Sequence, residues 1–121
     1  MGTIVFIVED NEDIGYILDF YLSDEGYKVS VFSNITAFKA ALTLNKPDIF
    51  ILDVMLPDGN GIDLCNELKS DPESRDLPVL MMSANTTAEK VTDSTRADGF
   101  IKKPFDLLAV QQALYNTLLD R

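Results

Sequence analysis

The stretch "TIVFIVEDNED", residues 3–13, sets an almost unbroken apolar run against four carboxylates, Glu9, Asp10, Glu12 and Asp13. A run of this kind suits a strand covered on both faces, as in the middle of a parallel sheet. The question it raises is why such a strand should surface in concentrated negative charge. Four further β-rich runs follow: "KVSVF" (28–32), "DIFIL" (48–52), "LPVLMM" (77–82) and "GFI" (99–101). The third and fourth runs are apolar like the first and belong in the sheet's interior, whereas "KVSVF" alternates and fits a more exposed strand.

Helical periodicity fills the intervals. Ile14, Ile17, Leu18, Tyr21 and Leu22 predict a core-facing stripe, and Gly26 is placed to end that helix. Ile35, Phe38, Ala41 and Leu42 predict a second helix after a cap at Ser33 or Asn34. Ile62, Cys65 and Leu68 mark a third after "PDGNG", and Leu107, Val110, Leu114 and Leu118 mark the last. Strands alternating with helices give an α/β fold, a doubly wound (βα)5 parallel sheet. Right-handed crossovers and the edge character of "KVSVF" favour strand order 2-1-3-4-5. Ligands of such sheets bind beyond the carboxyl ends of the strands, where the winding reverses.

The composition narrows the chemistry. With 121 residues, 46% hydrophobic and 25% charged, the chain fits one globular domain over 1–121. It contains no histidine and a single cysteine, Cys65, which excludes His bases, His ligands and an internal disulfide. Cys65 reads as packing on an apolar helix face. A formal net charge of −10 argues against direct nucleic-acid binding by this domain and suits a cation or a basic partner. The absence of a membrane-length apolar run and of a signal-peptide pattern makes a cytoplasmic protein without membrane contact the expectation.

Glu9 and Asp10 follow the first strand, Asp53 the third, Ser83 the fourth and Lys103 the fifth. Two carboxylates ~4 Å apart repel by roughly 4 kcal/mol at an effective dielectric of ~20, so this gathering asks for a hard divalent cation. Carboxylates, a backbone carbonyl and waters are what Mg²⁺ accepts. Beside a Lewis acid and a lysine, Asp53 is equipped to attack phosphorus.

This constellation resembles the receiver domain of bacterial response regulators, the phosphoacceptor half of two-component signalling. The acidic pair, "LDVMLPDGNG", Ser83, an aromatic at Phe100 and Lys103–Pro104 occur in the family's order across nearly the whole chain. The resemblance implies a flavodoxin-like three-layer sandwich with Asp53 as the phosphorylated residue. Asp10 and Asp53 would be metal ligands, with the Met55 backbone carbonyl and Glu9 (through water) completing the set for Mg²⁺ or Mn²⁺. Ser83 and Lys103 would hold the phosphoryl oxygens, Ser83 and Phe100 would form the switch, and Lys103–Pro104 would be cis.

The implied partners are a sensor histidine kinase or a phosphotransfer protein, with homodimerisation through the face made by the fourth helix, fifth strand and last helix. Such a domain is no enzyme beyond catalysing its own phosphotransfer and dephosphorylation. It would stand alone or be part of a longer chain. Departures from the pattern are Glu9 in place of the commoner Asp, Phe100 without a hydroxyl, and a segment from 84 to 100 that is short and rich in poor helix formers. That segment predicts a short, weakly held fourth helix.

Three other readings compete. A flavodoxin-like cofactor binder needs phosphate-cradling N–H groups where "EDNEDIG" places acids. A metal-dependent phosphatase-like hydrolase would lack a second acid at Met55. A non-phosphorylated pseudo-receiver would leave a full set of reactive residue types idle.

Overall fold

The structure is a computed structural model that describes residues 2–84 and 95–119. Five strands, β1 (Ile4–Val8), β2 (Lys28–Phe32), β3 (Ile49–Asp53), β4 (Val79–Ser83) and β5 (Gly99–Lys102), form one parallel sheet. Their order is β2-β1-β3-β4-β5, as the sequence predicts. The central strands β1, β3 and β4 are buried nearly throughout, while β2 lies at the edge and is partly exposed. The order follows from the apolar content: strands covered on both faces tolerate no polar residue until they end.

Side-chain alternation divides the core into two layers. Phe6, Phe50, Leu52 and Met81 point to one face, where they meet Phe38 of α2 (Ile35–Leu42) and Leu64, Cys65 and Leu68 of α3 (Gly61–Ser70). On this face Phe38 packs edge-on against Phe6, Phe32 and Phe50, with ring centroids 5.6–6.2 Å apart, the geometry that ring quadrupoles favour. Val5, Ile7, Ile51 and Met82 point to the other face, against Leu18 and Leu22 of α1 (Glu12–Asp24) and Val110 and Leu114 of the last helix (Leu107–Leu119). The result is the three-layer sandwich.

Local chemistry sets the helix ends. Asn11, Asn34 and Asn60 are N-caps, each accepting a bond from a first-turn N–H of its helix. Asn34, rather than Ser33, therefore opens α2. Gly26 follows α1 at φ +99°, a left-handed conformation that a residue with a Cβ adopts at a cost.

One expected core residue is exposed, where the others are buried or half-buried: Ile17 is 46% exposed beside the stacked rings of Tyr16 and Phe20. The seam that meets the sheet runs through Gly15, Leu18 and Leu22. There an added Cβ on Gly15 would come within 3.0 Å of Val31, which centres the seam and rotates Ile17 to its flank. The short fourth helix expected between 84 and 100 falls largely on residues 85–94, outside the described residues.

Residues 95–98 rejoin the sheet through polar ties. Arg96 reaches the Asn66 carbonyl and the Ser70 hydroxyl on α3. The Asp98 carboxylate accepts from the Val79 N–H and from Lys69, both at 2.8 Å.

Cys65 lies fully inside the α3 layer, and burial pushes its thiol up to about 11. At pH 8 the thiolate is therefore about one part in a thousand of the folded population. Native protein is expected to resist Ellman's reagent between pH 7 and 9 and to release one equivalent on unfolding. Rapid labelling of native protein would contradict this packing.

Candidate functional site

Parallel strands deliver their last residues to one edge, and the ladder fixes their backbones there. Glu9 donates its N–H to the Phe32 carbonyl, Val54 to Met82 and Lys103 to Ser83, at 2.9–3.0 Å. The residues singled out from sequence therefore meet. Glu9, Asp10, Asp53, Met55, Ser83 and Lys103 all line one open cleft of about 480 Å³. Phe100 stands back from the cleft on β5, three residues before Lys103: it pairs with Met81 in the ladder and packs, half-buried, against the α2–α3 core.

The polar contacts are specific. Lys103 Nζ donates to Glu9 Oε1 at 2.6 Å and to Asp53 Oδ2 at 3.0 Å. Glu9 Oε2 accepts the Asn11 N–H at 3.1 Å, so the cap residue of α1 also holds the acid before it. Glu9, Asp53 and Ser83 are buried, at 2%, 7% and 2% exposure, whereas Asp10 faces solvent. The Lys103–Pro104 bond is cis.

Burial pushes the Glu9 carboxyl above the usual range; its bonds from Lys103 and Asn11 oppose the rise, and the charge of Asp53 adds to it. For Lys103 burial acts downward, but the hydrogen bonds and charges of Glu9 and Asp53 outweigh it and hold the ammonium above its ordinary value. Both directions report one fact: two buried carboxylates share a single cation.

A third carboxylate completes the set. One oxygen each from Glu9, Asp10 and Asp53 lies within 4.8 Å of the others. Lys103 offsets one of three charges, and exposed Asp10 opens the remainder to solvent. The donors are all hard oxygens, so the arrangement fits a divalent cation of the Mg²⁺ type.

Backbone geometry at the following turn is tight. After Asp53 come a two-residue ribbon, Met55–Leu56 paired with Gly59–Asn60, and then α3. Gly61 donates its N–H to the Val54 carbonyl at 2.8 Å, and a Cβ there would fall 1.9 Å from the Asp53 carbonyl oxygen. Only glycine permits this approach. The sequence reading took "PDGNG" as the segment before a helix and as part of the family motif, and passed over the close approach at Gly61, the bonds of Asp58 and the Asn11 contact; two glycines within three residues were the available signal.

Residues 5–115 match the response regulator receiver domain family. This chain belongs to that family. It is 36% identical over 103 residues to the phosphate regulon transcriptional regulatory protein PhoB of Rhizobium meliloti (strain 1021), covering 84% of this chain and 45% of that protein. It is 35% identical over 118 residues to the transcriptional regulatory protein GltR of Pseudomonas aeruginosa, covering 93% and 49%. The chain thus spans about half the length of the curated relatives it matches.

Among solved structures it is similar to the signal receiver domain of a signal transduction histidine kinase from Syntrophus aciditrophicus. That pair has a TM-score of 0.87 and 29% identity, covering 98% of this chain and 92% of the other. The receiver domain is a signalling module, and no helix among its described residues is long and apolar enough to cross a membrane.

The shared ammonium generates an expectation for stability. Replacing Lys103 with Met leaves two buried carboxylates facing each other, and urea denaturation at neutral pH should show a loss of about 2–4 kcal/mol. The folded state binds the Glu9 proton more tightly than the unfolded chain, so this deficit should narrow as pH falls into the carboxylate range. An unchanged or raised midpoint at pH 7 would refute the account of Lys103 as the cluster's counter-ion.

Proposed function

We propose that this receiver domain accepts a phosphoryl group on Asp53 from the phosphohistidine of a sensor kinase or phosphotransfer protein, or from a small acyl phosphate. The observation that carries the reading is the convergence of Asp53, a shared lysine, two further acids and a buried serine on one cleft. Lys103 engages Oδ2 of Asp53, which leaves Oδ1 to attack phosphorus. The new Oδ1–P bond forms as the bond from phosphorus to the donor's nitrogen or oxygen breaks, and the donor leaves with that electron pair.

Asp10, Asp53 and the Met55 carbonyl are the residues that would hold Mg²⁺ or Mn²⁺, with Glu9 acting through water. When bound, the ion supplies charge neutralisation for the phosphoryl oxygens. Lys103 stabilises the same charge from the chain's own side, and the Ser83 hydroxyl donates to a phosphoryl oxygen. Burial of Asp53 and Ser83 limits access of water to the acyl phosphate.

The phosphorylated domain then biases Ser83 and Phe100 and, through them, the face of the fifth strand and last helix. That face is where a second copy or an output domain would respond. Domain boundaries at 1–121, the autocatalytic transfer and dephosphorylation, and work in the cytoplasm without direct nucleic-acid contact belong to the same reading. Intact-mass analysis after acetyl phosphate with Mg²⁺ should show one added phosphoryl group on the wild type and none on Asp53→Asn. An equal gain by both proteins would remove Asp53 from this role.

A further inference from the structure

Asp58 lies outside the cleft, on the turn between Leu56 and Gly59, and is exposed to solvent. It is nonetheless among the most heavily bonded acids of the fold. Its Oδ1 accepts the Ile35 N–H at 2.8 Å, and its Oδ2 accepts the Thr36 N–H at 3.0 Å and the Thr36 hydroxyl at 2.9 Å. These bonds hold its carboxyl below the usual range. The first-turn N–H groups of a helix have no partner within it. In α2 the third of them is taken by Asn34, 2.7 Å from the Ala37 nitrogen, and the first two are taken by Asp58, from a different part of the chain.

The ribbon that carries Asp58 also carries Met55. A two-residue ladder has little stability of its own, so its position depends on what holds its two ends. At the base, Val54 bonds to Met82 and Gly61 bonds to Val54. At the tip stands Asp58, with Gly59 so close to Ile35 that an added Cβ would lie 2.7 Å from its Cδ1. Met55 lines the same cleft as Glu9, Asp10 and Asp53.

We propose that Asp58 is a positioning residue for the metal site: by clasping the tip of the 55–60 ribbon to the N-terminus of α2, it holds the Met55 carbonyl at the cleft. This rests on the cation binding proposed above. The Asp58 side chain itself lies outside the cleft, so its signature is a change in cation affinity separable from a change in stability. Loss of outer-sphere support costs metal sites ~10–100-fold in affinity, and a single tether on an exposed ribbon belongs at the lower end.

Mn²⁺ binding, followed by the electron paramagnetic resonance signal of the free ion, tests this on the intact chain. Asp58→Ala should weaken Mn²⁺ binding by about tenfold. Asp58→Asn keeps one carbonyl acceptor but turns an NH2 donor toward a backbone N–H that the second carboxylate oxygen had accepted, and should recover only part of the affinity. Asn34→Ala, which removes the other cap of α2, should lower thermal stability and leave Mn²⁺ affinity unchanged.

Weakening by Asp63→Asn, which removes an exposed charge on α3 without touching the clasp, equal to that by Asp58→Ala would mean a long-range charge effect and would overturn the clasp. So would a matching loss in Asn34→Ala, which would make the effect one of general stability. If Asp58→Ala binds Mn²⁺ like the wild type while Asp53→Asn does not, only the clasp is wrong. If Asp53→Asn binds like the wild type, the cation site itself falls, and the clasp falls with it.

Discussion

The ammonium of Lys103 stands 2.6 Å from one buried carboxylate and 3.0 Å from another, and much else in the domain depends on that shared contact. Taking a carboxylate out of water is costly unless a partner replaces its hydration. Here Glu9 and Asp53 are both removed from solvent at the edge of an apolar sheet. One lysine cannot neutralise both of them and Asp10 besides. The site is therefore held together and left short of positive charge at the same time. The shortfall is chemically useful, because it is an attraction for a cation that the described residues do not themselves relieve.

Such a cluster survives because its backbone has little freedom to spread. Parallel pairing runs through Val8, Leu52, Met82 and Ser83 to the last residues of the strands. Beyond them, the Gly61 approach to Asp53 closes the turn. Repulsion among the acids cannot be released by fraying without breaking ladder bonds that a buried strand cannot replace with water. The large apolar residues of both core layers thus serve the site directly: Phe50, Leu52, Met81 and Met82 hold rigid the strands whose tips carry the charge.

The sequence makes this edge legible because the relevant residues are local to strand ends. Glu9, Asp53 and Ser83 each follow an apolar run directly, and Lys103 follows one after a single residue, so predicting the strands and the parallel order brings them together. The edge position of β2 was legible for the same reason, from the alternation in "KVSVF". What escaped depends on distance in the chain. Asp58 bonds to residues 22 and 23 positions earlier, and Asp98 bonds to Val79 nineteen positions earlier. Both are side chains satisfying backbone groups of another element, which periodicity does not encode. Ile17 failed differently. Its spacing fits the stripe, but the close seat of Gly15 on Val31 decides which side of the stripe meets the sheet.

The same shared lysine bears on how a signal would leave the site. A phosphoryl group on a side chain brings a charge of about −1.5 to −2, so on the proposed chemistry Lys103 would face a stronger anion than Glu9. The balance of its two bonds must then shift, and β5 lies directly on that line. Lys103 follows β5, donates its N–H to the Ser83 carbonyl, and stands three residues beyond Phe100. Ser83 and Lys102 are register partners, as are Met81 and Phe100. A rearrangement at the phosphoryl oxygens would therefore act on two rungs of one ladder that only the Met82–Ile101 pair separates. Phe100 has no hydroxyl with which to find a new hydrogen bond. On the proposed chemistry it would answer by changing how it packs, and the half-buried site it occupies would be the place where charge is converted into shape.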